Sequence, residues 1–183
     1  NMREVNMNET INNLKTRRSI RKFKDKQISD EDLQAILEAG TYAPTALGMQ
    51  SPKIIVIQNP ETIKEFSDWN RSYYPIDVPD DLDPFYGAKT ILIVLANGKM
   101  PTFVEDGASV ITTLVNAAHA VGVGSCWIHR AREEFSSEKG KALLKEWGIP
   151  EKYVGVGHVA LGYPDMDLPK PRPRKEDFIH YVD

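Results

Sequence analysis

Apolar positions recur along this chain in two rhythms. One is helical. Leu33, Ile36 and Leu37 share a face behind Ser29, and Val110, Ile111, Leu114, Ala117, Ala118 and Val121 share another. The other is the dense, β-branched run of a buried strand, as in residues 53–58 and 90–96. The pattern predicts a short helix over residues 10–15. A second begins at Ser29, with Asp32 as the weaker acidic partner of a capping box and Gly40 as its stop. A strand over 53–58 is bounded by Pro52 and by Asn59-Pro60, which in turn cap and open a third helix to about Phe66. Residues 67–87 are aromatic, acidic and proline-punctuated, and read as a long loop or short helical insert. A buried strand over 90–96 follows, then a long helix over 105–121 stopped by Gly122. Gly107, Ala108, Ala117, Ala118 and Ala120 on that helix allow another element to approach closely. A strand over 125–128 and a helix over 137–147 come next, the helix striped by Leu143, Leu144 and Trp147 and ended by Gly148-Ile149-Pro150. A strand over 153–161 and an extended, proline-rich tail complete the chain. Four strands interleaved with helices predict a mixed α/β or α+β sandwich.

With 183 residues, 41% hydrophobic and 27% charged, the composition is that of one soluble domain spanning residues 1–183. The longest apolar run, residues 91–96, is far short of the ~20 needed to cross a bilayer. The polar N-terminus lacks the apolar core of a signal peptide, so a cytoplasmic protein is expected, and Asn1 ahead of Met2 reads as a trimmed start. A single cysteine, Cys126, excludes an intramolecular disulfide and a thiolate metal cluster; in an apolar strand it reads as a small core residue. His119, His129, His158 and His180 include no helical pair at ligand spacing, so no metal is expected, and His119 reads as a packing residue. The net charge of −3 argues against nucleic-acid and membrane-surface partners.

That charge is uneven. Residues 17–26 carry Arg17, Arg18, Arg21, Lys22, Lys24 and Lys26 against one acid, Asp25, and Lys170, Arg172, Arg174 and Lys175 cluster near the other end. Three guanidiniums and the Ser19 hydroxyl within five residues can hold a phosphate dianion through charge-assisted, bidentate bonds. From spacing alone the same residues read first as a solvated arm, since charge runs usually face water. Residues 43–52, Ala-Pro-Thr-Ala-Leu-Gly-Met-Gln-Ser-Pro, are small enough to bring backbone N–H groups close to a ligand, and Gln50 can offer both a donor and an acceptor. They can also be a plain helix-to-strand connection. The Gly122-Val123-Gly124 pair follows a helix rather than opening one and so fails the dinucleotide fingerprint. No Gly-x-Ser-x-Gly or P-loop occurs.

Taken in order, these runs resemble the FMN-dependent nitroreductase family. The matching segments are Thr16-Arg17-Arg18-Ser19-Ile20-Arg21-Lys22-Phe23, Leu37-Glu38-Ala39-Gly40, Ala43-Pro44-Thr45-Ala46 and Gln50-Ser51-Pro52. They continue with Asp106-Gly107-Ala108, the run from Asn116 to Ile128, Ala160-Leu161-Gly162-Tyr163-Pro164, Pro171-Arg172-Pro173-Arg174-Lys175 and Phe178-Ile179-His180-Tyr181. The resemblance implies an α+β fold with a central mixed β-sheet flanked by helices, and an intertwined homodimer with two flavins at its interface. It places Arg17 and Ser19 on the FMN phosphate and ribityl chain, with Arg18 assisting. Arg21 lies towards the pyrimidine edge, where a cation favours anionic reduced flavin. Pro44, Thr45 and Ala46 reach the flavin from the other subunit, and Gly48 and Gln50 of the same loop complete that set. Trp127, Ile128 and His129 present backbone to the flavin, with a donor for N5. Arg172 and Arg174 complete the phosphate site, with Lys170 or Lys175 as substitutes.

Many relatives carry an asparagine where this chain has Gly48, so the contact it makes to the pyrimidine edge falls to Gln50 or to backbone. The segment over 67–87, which shapes the substrate cavity, brings Trp69, Tyr73, Tyr74, Phe85 and Tyr86 to stack on an aromatic substrate or pack against the partner. The activity implied is an NAD(P)H oxidoreductase that reduces nitroaromatics, quinones or related small-molecule acceptors. Its chemistry is borne by the flavin, with no catalytic side chain, and one shared cavity implies ping-pong kinetics. Within the family the alternatives are reductive dehalogenation and flavin cleavage. Outside it, the alternative is a non-catalytic phosphate- or nucleotide-binding module. The two basic clusters are expected to converge across the two-fold interface onto one phosphate.

Overall fold

In the computed structural model, which describes residues 8–182, four strands form one sheet in the order β1-β2-β4-β3. The strands are β1 (Pro52–Ile57), β2 (Thr90–Asn97), β3 (Gly124–Ile128) and β4 (Tyr153–Gly162). All three pairings are antiparallel, with Ile54 opposite Val94, Leu92 opposite Val159 and Cys126 opposite Ala160. The one parallel contact between described residues is the bridge from Ser19 to Ser125, so the sheet is mixed only through the N-terminal arm. β2 is the spine. Its residues from Thr90 to Ala96 are buried because helices cover both faces, not because the sheet is parallel.

Alternation along β2 divides the core in two. Leu92, Val94 and Ala96 enter one layer with α2 (Asp30–Thr41) and the long α4 (Phe103–Ala120), meeting Ile36, Val110, Ile111 and Leu114. Ile91, Ile93 and Leu95 enter the other, against α3 (Pro60–Arg71), α5 (Ala131–Ser136) and α6 (Glu138–Glu146), meeting Phe66, Phe135 and Leu144. A bulge sits where β2 slips past β4, between Val94 and Leu95, opposite Gly157 and Gly155.

The caps are those the sequence predicts. Ser29 Oγ accepts from Asp32 N at 3.1 Å, and Asn59 Oδ1 accepts from Thr62 N at 2.9 Å with Pro60 at the first helical turn. The capping box, however, is not reciprocal. The Tyr163 hydroxyl stands between its two ends, donating to Asp32 Oδ2 at 2.7 Å and accepting from Ser29 N at 3.1 Å. The first helix, α1 (Glu9–Thr16), is capped by Asn8.

Three expectations need correction. Gly40 lies inside α2 and does not stop it; a Cβ there would come within 2.6 Å of Leu114 Cδ2, so glycine is the residue that lets α2 rest on α4. α3 runs five residues past Phe66, to Arg71, because Trp69 and Asn70 turn back onto the core. The short helix α5 precedes α6 without the pattern predicting it. No helix of the described residues is long and apolar enough to cross a membrane.

Candidate functional site

α1 and the arm that follows it are fixed to the C-terminal half of α4. Asn13 Nδ2 donates to the Asn116 carbonyl at 2.9 Å, and Thr16 Oγ1 lies 2.9 Å from His119 Nε2. From there the arm runs beside β3, with Ile20 N donating to the Ser125 carbonyl at 2.9 Å. β3 is an edge strand, and strand residues alternate in where their backbone groups point. Trp127, two residues on from Ser125, therefore turns its N–H and carbonyl to the same open edge, past the end of the arm. The residue is 42% exposed, and its indole lies over Gly157, where a Cβ would strike the ring nitrogen.

The C-terminal tail returns to this edge. The Arg18 guanidinium donates to the carbonyls of Pro169 (3.1 Å), Lys15 (2.9 Å) and Arg17 (2.6 Å); Arg21 N donates to Met166 Sδ at 3.5 Å; Lys22 pairs with Asp165 at 3.1 Å. The result is a cleft of about 800 Å³ lined by Arg17, Arg18, Ser19, Arg21, Lys170, Arg172 and Arg174. The two basic clusters thus meet within a single chain, and the expected convergence needs no second copy. Arg174 donates to the Arg172 carbonyl, so Arg18 and Arg174 are partly committed to holding backbone. Arg17, Arg21 and Arg172 have no side-chain hydrogen bond to any described residue and present their forks to the cleft.

His119, behind the cleft, has its pKa lowered, first by burial and then by the Arg17 and Arg18 cations. The folded state therefore prefers the neutral ring. The stability this contributes is complete above the ordinary value of 6.5 and is lost as pH falls below it towards the lower folded value. An anion in the cleft offsets Arg17 and Arg18, so the His119 imidazole titration followed by NMR should move upward when FMN is added. An unmoved titration would place the phosphate elsewhere. Cys126, beside the arm, is buried, and burial raises its thiol pKa against the opposing pull of Arg21, Ser19 and Arg17; it is a core residue and no nucleophile.

The loop carrying Pro44, Thr45, Ala46, Gly48 and Gln50 sits at the opposite end of α4. Asp106 holds it: Oδ1 accepts from Ala46 N at 2.9 Å and Oδ2 from Ser51 Oγ at 2.6 Å, with the carboxylate buried. Thr45 Oγ1 accepts from Gln50 N at 3.0 Å. Leu47, Gly48 and Gln50 all adopt left-handed backbone (φ 53°, 66° and 48°). Nothing lies within 4 Å of the position a Gly48 Cβ would take. This is the conformation asparagine tolerates best, so the backbone suits both residues. Leu47, at 95% exposure, faces outward. Asp106 and His119 are thirteen residues apart on one helix, about 20 Å at 1.5 Å per residue. One chain therefore does not bring the loop to the basic cleft.

Ile128 is buried in the core, and His129 is exposed at the corner after β3. Of the aromatics over 67–87, Phe85 is fully buried against the His158 ring and Trp69 packs on Phe66 and Phe135, so both are core. Tyr74 lies under the Arg130 guanidinium at 3.8 Å.

The nitroreductase family model matches residues 14–163. The chain belongs to the nitroreductase family. An Archaeoglobus fulgidus relative, whose name proposes an NADH dehydrogenase/NAD(P)H nitroreductase, is 34% identical over 86% of this chain and 87% of its own. An FMN reductase [NAD(P)H] of Bacillus subtilis is 25% identical over 95% of this chain and 74% of its own. Among solved nitroreductases, one from Bacteroides fragilis with bound FMN superposes with a TM-score of 0.87, at 29% identity over 97% of this chain and all of its own. The α+β architecture read from the sequence is that of these nitroreductases.

Proposed function

We propose that this nitroreductase-family chain is an FMN-dependent NAD(P)H oxidoreductase acting on nitroaromatics, quinones or similar small acceptors. The observation that carries the reading is the basic cleft at the open edge of β3, where Arg17, Ser19, Arg21 and Arg172 converge. The residues fit the group. A phosphate monoester carries about −1.5 to −2 charges, and two or three forked guanidiniums match it. Arg17, Arg172 and the Ser19 hydroxyl hold that phosphate, with Arg18 and Arg174 bracing the backbone around it. Arg21, further along the arm, puts a cation where negative charge develops on reduction. Trp127 offers aromatic surface and an edge-facing N–H, flanked by Ile128 and His129. When bound, FMN supplies the hydride and electron transfer itself. No side chain acts as an obligatory acid or base. One open mouth serves donor and acceptor in turn, which supports ping-pong kinetics.

The loop of Pro44, Thr45, Ala46, Gly48 and Gln50 stands about 20 Å from its own chain's cleft. It reaches a flavin only from a second copy. Exposed Tyr42, Leu47, Met49, Phe178, Ile179 and Tyr181 are the apolar surface such a homodimer covers.

The test is an absorbance spectrum of the purified protein with FMN, followed by anaerobic NADH or NADPH. The expected result is a tightly held yellow flavin that bleaches on adding the reductant. A protein that does not retain FMN would overturn the reading. One that binds FMN without reduction by either nucleotide would be a binding module.

A further inference from the structure

Beneath the corner that follows β3 lies a buried polar cluster that the flavin reading does not use. Asn70, Glu134 and His158 come from α3, α5 and β4, and all three are fully buried. His158 Nε2 lies 2.5 Å from Glu134 Oε2, and Asn70 Nδ2 donates to Glu134 Oε1 at 2.8 Å. The second Asn70 proton goes to the His129 carbonyl at 2.9 Å. Phe66 and Phe85 close the cluster edge-on to the His158 ring. Asn70 Oδ1 and His158 Nδ1 have no partner. A buried carboxylate with two orphaned neighbours is an expensive way to join three elements that could have met through apolar side chains.

What the cluster grips is backbone. A trans peptide points its carbonyl and its N–H in opposite directions. Asn70 draws the His129 carbonyl inward, so the N–H of the next residue, Arg130, is turned outward. That N–H donates to no described residue. Arg130 itself is in the left-handed region (φ 80°), a conformation costing an arginine of the order of 1 kcal/mol. Its guanidinium is clamped from outside by the Tyr74 ring at 3.8 Å. The corner is thus fixed from both sides, directly after the Trp127-Ile128-His129 segment.

We infer that Asn70, braced by Glu134 and His158, is a positioning residue that turns the 129–130 peptide so that the Arg130 N–H serves as a fixed hydrogen-bond donor to the bound flavin. The inference rests on the FMN reading above, and the experiment separates the two. Amide hydrogen exchange at residues 129–131 is measured with and without FMN, alongside FMN affinity and the rate of flavin reduction by NAD(P)H. In the native protein, the Arg130 amide exchanges fast when flavin-free and slows about tenfold or more on binding. Asn70→Leu, of similar volume, abolishes that protection. It lowers the reduction rate about tenfold, less than losing an oxyanion donor outright, and changes KM for the nucleotide less than twofold. Glu134→Gln retains both protection and rate. Its carbonyl still accepts from Asn70, and its amide donates to a His158 tautomer protonated at Nδ1.

Failure to bind FMN would sink the flavin reading. Normal FMN binding with an unprotected Arg130 amide would overturn this inference alone, and that measurement on the native protein decides the matter even if Asn70→Leu does not fold. Undiminished protection and rate in Asn70→Leu would overturn it equally.

Discussion

Replacing Arg17 and Arg172 together by alanine is expected to weaken FMN binding a hundredfold or more while leaving the melting temperature nearly unchanged. Hydrogen bonds to charged groups contribute about 1.5–3 kcal/mol each, and every 1.4 kcal/mol is about a factor of ten. Loss of two such partners therefore predicts about a hundred- to ten-thousandfold. Neither guanidinium holds any described part of the fold, unlike Arg18, whose removal would also free the Pro169 carbonyl. Fluorescence titration of flavin-free protein with FMN provides the measurement, and riboflavin, which lacks the phosphate, provides the control. Riboflavin affinity should be the same in parent and double variant. Equal FMN affinity would remove the cleft from the site.

The largest structural effect is expected from Gly155→Ala. A Cβ at that position would sit 1.9 Å from the Ala131 carbonyl oxygen and 2.2 Å from its carbon, both backbone atoms that no rotamer change can move. α5 must lift off β4, and with it the corner at Arg130 and the buried Glu134. The cost should be at least about 3 kcal/mol, or about 10 °C in melting temperature for a chain of this size. Gly98→Ala, whose nearest contact would be 3.2 Å, is the comparison and should melt within a few degrees of the parent, by the same scaling. A Gly155→Ala protein as stable as the parent would show that α5 is not seated as described.

The elements that were legible in the chain are those with a long period or a side-chain cap. α2, α3 and α4 announce themselves through Ser29, Asn59 and an apolar stripe, and β2 through an unbroken apolar run over residues 91–96. α5 does not, for a local reason. It spans six residues, its N-cap is a left-handed arginine offering no side-chain acceptor, and Ser137 ends it while capping α6. Gly40 carries the composition of a helix stop but acts through Leu114, seventy-four residues away. The candidate site divides in the same way. The arm is readable because its charge is dense and consecutive. Asp106, Asn70, Glu134 and His158 are single residues whose meaning lies in partners dozens of positions distant. Spacing could not reveal them.

The bond from Arg18 to the Pro169 carbonyl joins the first basic segment to the last one. Occupancy of the cleft and docking of the C-terminal tail are consequently linked equilibria: any ligand that prefers the docked arrangement tightens it by mass action. Protease sensitivity of residues 165–182 would then act as a gauge of cofactor loading.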